Sequence, residues 1–287
     1  MTLSDALTWG TAALRQHACA AADAPREARD LLAFALSCDT AALLTKAGDR
    51  LGESDRARYA ALVQRRLRHE PLAHMLGTAM FLGREFRVTR DTLIPRPATE
   101  HVVEAALAAA AQIEARALID VGTGSGIIAA SLALAEPRRR IYATDLSPAA
   151  LGVAKENAGL VRADGILFHC GDLLEPLPPE AWSEPAVIAA NLPYIPDGEW
   201  DGLIPDIRDY EPKSALVAGP DGLDDYRRLL DQLRGREPAR PFAMVMEILP
   251  EQAGALTERL AGTWPDAAVQ PVRNLAGLVI GLKAVVR

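Results

Sequence analysis

The chain has 287 residues, 49% of them apolar and 24% charged, with a formal net charge of −7. That is enough for one large domain or two with a sizeable core, and the acidic balance argues against wholesale nucleic-acid binding. No apolar run reaches the roughly 18 to 20 residues that a membrane span requires. Cys19, Cys38 and Cys170 are odd in number and far apart, so neither a disulfide framework nor a metal site is expected. The first residues, Met1-Thr2-Leu3-Ser4-Asp5, show no basic stretch leading into an apolar one. No signal peptide is expected, and the cytoplasm is the expected location.

The first 70 or so residues read as helices only. Ala28, Leu31, Leu32, Ala35 and Leu36 fall on one helical face, with Pro25 in the first turn. Tyr59, Leu62, Val63 and Leu67 form a second stripe, for which Ser54 is the expected N-cap. Residues 1–72 are therefore expected to form a small helical bundle. Arginine is dense nearby, at Arg56, Arg58, Arg65, Arg66, Arg68, Arg84, Arg87, Arg90 and Arg96. A run of this kind is either a solvated face or a docking surface for an acidic partner or an RNA-associated protein.

Residues 73–97 change character. Gly77, Gly83 and the alternation of Phe86 and Val88 point to a hairpin or extended linker. Pro95 and Pro97 then stiffen Ile94-Pro95-Arg96-Pro97. Pro97, Thr99 and Glu100 look like the first turn of a helix through Val103, Leu107 and Ala110.

Residues 98–287 are expected to form a second domain in which strands and helices alternate. Strands are expected at 117–121, 141–145, 166–170, 186–190 and 242–247, with a late pair near 267–272 and 278–282. Ser147-Pro148 marks a helix start. The pattern implies an α/β fold: a doubly wound, mostly parallel seven-stranded sheet, with ligands at the carboxyl ends of its strands.

Asp120-Val121-Gly122-Thr123-Gly124-Ser125-Gly126 ends the first of these strands and opens a helix. Its glycines allow a sharp turn, and the helix start offers free amide groups. The spacing is G-x-G-x-G, and Ile127 stands where a pyrophosphate-binding loop has its third glycine. That favours a nucleoside carrying an amino acid over a dinucleotide. Asp145, at the end of the next strand, is placed to accept both hydroxyls of a ribose. Gly171-Asp172 follows as a candidate for the adenine edge. S-adenosylmethionine fits these features best.

Asn191-Leu192-Pro193-Tyr194-Ile195-Pro196 follows the apolar strand 186–190. A strand-tip amide between rigid prolines and an aromatic ring suits gripping a planar nitrogen group. Asn191 Oδ1 and the Leu192 carbonyl would accept its two N–H bonds, Tyr194 would wall the plane, and Pro193 would stiffen the turn. His74, His101 and His169 are isolated, and a structural role is expected for each. Glu247 ends an apolar strand, where it either lines the pocket or forms an edge salt bridge. Asp197, Asp201, Asp206, Asp209 and Glu211 make an acidic loop that either recognises the substrate or keeps a lid soluble.

Taken together, EARDLLAFAL, EPLAHMLG, LIPRPATE, DVGTGSG, ATDLSPAAL, NLPYIP and YEPKSALVAGPDGL resemble the HemK/PrmC family in order and spacing over nearly the whole chain. The resemblance implies a Rossmann-like S-adenosylmethionine-dependent methyltransferase that modifies a glutamine side-chain nitrogen of peptide chain release factors, at their GGQ motif. It implies substrate recognition by residues 1–72 and catalysis by 98–287. The implied catalytic set is Asn191, Leu192, Pro193 and Tyr194. The implied cofactor set is Gly122, Thr123, Gly124, Ser125, Gly126, Asp145, Leu146, Asp172, Leu173 and Asn191. A monomer with a protein substrate is expected, with no metal, no membrane and no direct nucleic-acid contact. The chain departs from the pattern at Leu192, where the family usually has proline, and at Ala98, where it usually has an acidic residue. Asn-Leu-Pro-Tyr is common in enzymes similar to the adenine dimethylases of ribosomal RNA. An N-methyltransferase of the same fold acting on a nucleobase or small molecule is accordingly the alternative. A dehydrogenase or a binding-only module is disfavoured by the glycine spacing and by the Asn-x-Pro-Tyr segment.

Overall fold

A computed structural model of the chain describes residues 1–16, 23–236 and 238–287; Cys19 lies outside the described residues. The chain divides into two units, one comprising Met1–Thr78 with Leu203–Tyr210, the other Ala79–Gly202 with Glu211–Arg287. The expected continuous 98–287 domain thus differs from the observed grouping, because residues 203–210 are counted with the N-terminal helices.

The first unit is built from α1 (Leu3–Leu14), α2 (Ala24–Leu36), α3 (Thr40–Thr45), α4 (Glu53–Leu67) and α5 (Leu72–Leu76). Thr2 caps α1 with a reciprocal capping box to Asp5, which satisfies donors that a helix start leaves open. The stripes expected on α2 and α4 meet: Ala28, Leu31, Leu32, Tyr59 and Val63 are buried in one cluster with Leu3, Ala6 and Leu14. Each large side chain so buried contributes about 1.5–3 kcal/mol. The expected cap at Ser54 is corrected. The helix begins at Glu53, two residues earlier than that cap implies, and Gly52 stands at the cap without a side-chain bond.

One arginine of the run is not on a solvated face. Arg66 is only 4% exposed and bonds Glu27 on α2 at 2.8 Å and Asp206 at 2.7 Å. His69 also meets Asp206, at 2.8 Å, and the Tyr210 hydroxyl donates to the Arg68 carbonyl at 3.1 Å. Charge pairing of this kind explains why a short segment distant in sequence groups with the helices. A buried charge removed from its partners costs several kcal/mol.

The hairpin β1 (Thr78–Phe81) and β2 (Arg84–Arg87) belongs to the second unit from Ala79 onward. Leu82 and Gly83 both have positive φ at its turn, the geometry that matches strand twist in two-residue hairpins. Phe81 and Phe86 meet edge to face at 6.3 Å. Next comes α6 (Pro97–Gln112), with proline in its first turn.

The alternating part runs β3 (Ala117–Val121), α7 (Ile127–Ala135), β4 (Arg140–Asp145), α8 (Pro148–Val161), β5 (Ile166–Cys170) and β6 (Ala186–Ala190). After α9 (Pro205–Arg208), of the first unit, come α10 (Asp224–Gly235), β7 (Phe242–Glu247), α11 (Ala253–Thr263), β8 (Ala268–Arg273) and β9 (Val279–Val286). The seven strands order as β5-β4-β3-β6-β7-β9-β8. All pairs from β5 to β7 are parallel, while β9 runs antiparallel to β7 and β8. β3, β6 and β7 are buried along their full lengths, as expected of parallel strands covered on both faces.

The strand order reverses between β3, which continues to β4, and β6, which continues to β7. Ligand sites of open α/β sheets lie outside the carboxyl ends of the strands at such a point. Among the described residues, no helix is long and apolar enough to cross a membrane.

Candidate active site

A cavity of about 400 Å³ opens at the carboxyl ends of β3, β4 and β6, within the usual range for small-molecule sites. Gly122, Thr123, Gly124, Ser125, Asp145, Leu146, Asp172, Leu173, Asn191, Leu192 and Pro193 all line it. Two expected residues, Gly126 and Tyr194, do not.

Gly126 serves packing instead. Its φ is +80°, and a Cβ there would come within 2.9 Å of Ala154 Cα on α8. The glycine therefore lets the start of α7 lie against α8. Tyr194 packs partly buried against the core cluster of β6 and β7, and its hydroxyl donates to Glu247 Oε1 at 3.2 Å. Burial, with the Glu247 charge beside it, pushes its phenol well up. Its ring is held by the apolar residues around it.

The loop after β3 is tied at both sides. Asp120 Oδ2 accepts from Thr123 Oγ1 at 2.6 Å and from the Ala129 amide at 2.9 Å. Buried Asn157 on α8 donates to the Ser125 carbonyl at 2.8 Å and exchanges bonds with the Arg87 backbone. Asp145 Oδ2 accepts from the Gly124 amide and Oδ1 from the Ser147 amide, each at 2.8 Å. A carboxylate oxygen has two lone pairs, so both oxygens can still accept from a diol.

Asp172 is more committed than expected. Its carboxylate is paired with Arg228 and accepts from Gln232 Nε2 at 3.0 Å. Opposite the glycine loop, Thr92 lines the cavity with a buried hydroxyl that has no hydrogen-bond partner. A buried polar atom of this kind calls for a polar ligand group. Anion-tolerant backbone, a diol-ready carboxylate and an orphan hydroxyl together fit a nucleoside bearing an amino acid.

Asn191 begins where β6 ends. Its Nδ2 donates to Thr99 Oγ1 at 3.0 Å, which leaves Oδ1 without a protein partner among the described residues. The Leu192 amide donates to the Tyr226 hydroxyl at 3.3 Å, and that hydroxyl in turn reaches the Ala190 and Glu247 carbonyls. The Leu192 side chain is buried in the core, with Cδ2 against Gly122, where a Cβ would meet it at 2.8 Å. Leucine in place of proline therefore points its side chain inward, into the core. Tyr194 and Ile195 donate to the Leu216 carbonyl, and Ala218 donates back to Ile195. The YEPKSALVAGPDGL stretch is thus a buttress for the Asn191 segment.

Several residues at the site carried no chemical signal in the sequence. Glu211, read there as part of an acidic loop, is buried; it accepts from the Ile94 amide at 2.9 Å and pairs with Arg96. Glu100 accepts from the Leu82 amide at 2.8 Å. Glu247 neither lines the cavity nor sits at a salt-bridged edge. It is 2% exposed behind Tyr194, and burial pushes its carboxyl up against the opposing influence of Thr99, Tyr194 and Arg96.

Residues 5–77 match the PrmC N-terminal domain, and residues 118–210 match a methyltransferase domain. The release factor glutamine methyltransferase of Koribacter versatilis is 36% identical over 286 residues, covering 99% of each chain. That of Moorella thermoacetica is 40% identical over 276 residues, covering 94% of each. Among solved structures, the hMettl16 catalytic domain bound to the MAT2A 3′UTR hairpin 6 aligns with a TM-score of 0.52 at 15% identity, over 78% of this chain and 91% of that one. This last likeness bears on the fold alone. With relatives of this identity over the full length, the chain belongs to the release factor glutamine methyltransferase family.

Proposed function

We propose that this chain transfers a methyl group from S-adenosylmethionine to the side-chain amide nitrogen of a glutamine, in the GGQ motif of a peptide chain release factor. The observation that carries the reading is the Asn191 amide. Its Nδ2 is committed to Thr99, so its oxygen is left for a donor in the cavity.

When bound, S-adenosylmethionine supplies an electrophilic methyl group on a sulfonium. The residues placed to hold it are Gly122, Thr123, Gly124 and Ser125 through the loop, Asp145 through its carboxylate, and Leu146 and Leu173 as apolar lining. An acceptor amide nitrogen is a weak nucleophile, because its lone pair is delocalised into its carbonyl. Asn191 Oδ1 and the Leu192 carbonyl accept its two N–H bonds, which turns the lone pair toward the methyl and stabilises the positive charge that grows on nitrogen. Tyr226 fixes the Leu192 peptide through its amide, and the buried Leu192 side chain anchors it from the other side. Bound S-adenosylmethionine would supply the methyl group to the nitrogen held by Asn191 and Leu192, with its thioether as the leaving group, and one N–H proton would then pass to water. No strong base is required.

The nucleobase alternative shares this grip, since a nucleobase amine also presents two N–H bonds. The formal charge of −7 offers little for phosphate contacts, which favours a protein acceptor. A monomer acting in the cytoplasm fits the same reading. The test is methyl transfer from labelled S-adenosylmethionine to a release factor, intact or with its GGQ glutamine replaced by alanine. Label on the intact factor alone is expected. Label on neither, or on both equally, contradicts the reading.

A further inference from the structure

The grip on the acceptor nitrogen consists of acceptors only, Asn191 Oδ1 and the Leu192 carbonyl. A primary carboxamide also carries a carbonyl oxygen with two lone pairs. A lysine amine or a nucleobase amine offers N–H bonds too, so acceptors alone do not single out a glutamine. Selecting the carboxamide takes a donor beside the grip, and leaving its oxygen unpaired in a closed site is costly.

Three arginines line the cavity: Arg90, Arg96 and Arg228. Arg228 pairs with Asp172, just past β5, and with Asp225. In the sheet, β5 lies three places from β6, on the order of 14 Å away. Arg96 stands on the Asn191 side. It is the cap residue of α6, and its carbonyl accepts from the Thr99 amide at 3.1 Å. Thr99 Oγ1 in turn accepts from Asn191 Nδ2 at 3.0 Å.

The Arg96 guanidinium is also held in place. Glu211, whose side chain is 1% exposed, pairs with Arg96 Nη2 through Oε1, while its Oε2 accepts from the Ile94 amide at 2.9 Å. One buried carboxylate thus fixes both the arginine and the backbone just before it. The Arg96 side chain keeps 30% of its surface exposed. A guanidinium has five N–H donors, and the bond to Glu211 uses one of them.

Resting on the reading of a glutamine as the acceptor, we propose that Arg96, held by Glu211, donates to the carbonyl oxygen of the acceptor carboxamide and so selects a carboxamide over an amine. A donor on that oxygen draws the nitrogen lone pair further into the amide. Arg96 accordingly acts on binding and selection, and the aiming of the nitrogen stays with Asn191 and Leu192.

Arg96→Met alone leaves Glu211 buried and charged without its partner, which destabilises a fold strongly. The experiment therefore uses Arg96→Met combined with Glu211→Gln, in which the Ile94 amide keeps an acceptor, and a melting curve confirms that the variant folds. Two release factors, one intact and one with the GGQ glutamine replaced by alanine, are titrated into each enzyme by calorimetry. S-adenosylhomocysteine fills the donor site and prevents turnover. Wild type is expected to prefer the intact factor, and the double variant to narrow that preference roughly 10- to 100-fold, with its loss of methylation carried by KM. An equal weakening toward both factors overturns the proposal, because it assigns the pair to the shape of the cavity wall. So does a loss carried by kcat with the preference kept. If wild type binds the two factors equally, no glutamine is held in the site and the acceptor reading itself fails. If wild type shows the preference and the variant retains it, only the role of Arg96 fails.

Discussion

Asp120 is the residue whose burial runs hardest against its charge. It stands next to last in β3, fully buried, with Oδ1 lacking any hydrogen-bond partner. Burial pushes its carboxyl up to about 7, against the bonds from Thr123 and Ala129, and the Asp145 charge adds to the rise. The folded chain therefore holds a proton that the unfolded chain releases near pH 4, so the native state binds more protons between about pH 4 and 7. Stability from this group is present at the acid end of that window and is lost as pH rises through it. Melting temperatures recorded across this range are expected to show a downward component in wild type that Asp120→Asn lacks. Equal slopes for the two proteins would remove Asp120 as its source. The residue is written plainly in the DVGTGSG stretch, but its protonation is not. A sequence shows a carboxylate beside glycines, whereas the shift comes from the strands and helices that close over it.

At the scale of elements, the segment after β6 holds its shape because other parts of the chain press on it. Gly222, in the turn before α10, has a φ of +74°, and a Cβ there would sit 2.0 Å from the Tyr194 carbonyl oxygen. Gln252 Nε2 donates to that same carbonyl at 2.7 Å and to the Asp221 carbonyl at 2.9 Å. Gly222→Ala must displace the Tyr194 peptide or itself. It is expected to cost about 1–3 kcal/mol of stability and to lower methyl transfer. Gly254→Ala, on α11 with nothing within 4 Å of the added carbon, is the control, expected to be neutral or slightly stabilising. Comparable losses in both would refute the steric account. The elements themselves were legible. Apolar runs and glycine or proline breaks placed all seven strands within a few residues, and Ser147-Pro148 marked the start of α8. Their supports were not legible, because Gly222 and Gln252 lie 28 and 58 residues from Tyr194 and share no pattern with it.

For the whole molecule, the two units show where reading along the chain stops working. The helical stripes of α2 and α4 follow from spacing, and their meeting follows from burial. That Arg66 would leave the charged surface for Glu27 and Asp206 does not follow, since the three positions are separated by 39 and 140 residues. The site shows the same division. Asn191, Asp145 and the glycine loop stand at the ends of strands, where period-two patterns and sheet topology converge, so their places could be anticipated. Tyr194 could not be placed from pattern alone, because an aromatic after a strand tip can turn toward ligand or core. Here Glu247 and the apolar side chains around it draw it inward. Leu192 was the residue at odds with the family pattern; its side chain is buried in the core, which is compatible with the accepting role proposed for its carbonyl.

The central claim is that the strand-tip amide of Asn191 grips a glutamine nitrogen and not the cofactor. Tandem mass spectrometry of a release factor after incubation with S-adenosylmethionine tests it most directly, run with wild type and with Asn191→Ala beside a calorimetric measure of donor affinity. The account predicts one added methyl group on the GGQ glutamine side-chain nitrogen with wild type. With Asn191→Ala it predicts donor affinity kept and turnover lowered roughly a hundredfold or more. A methyl group on another residue, or full turnover by Asn191→Ala, would contradict it.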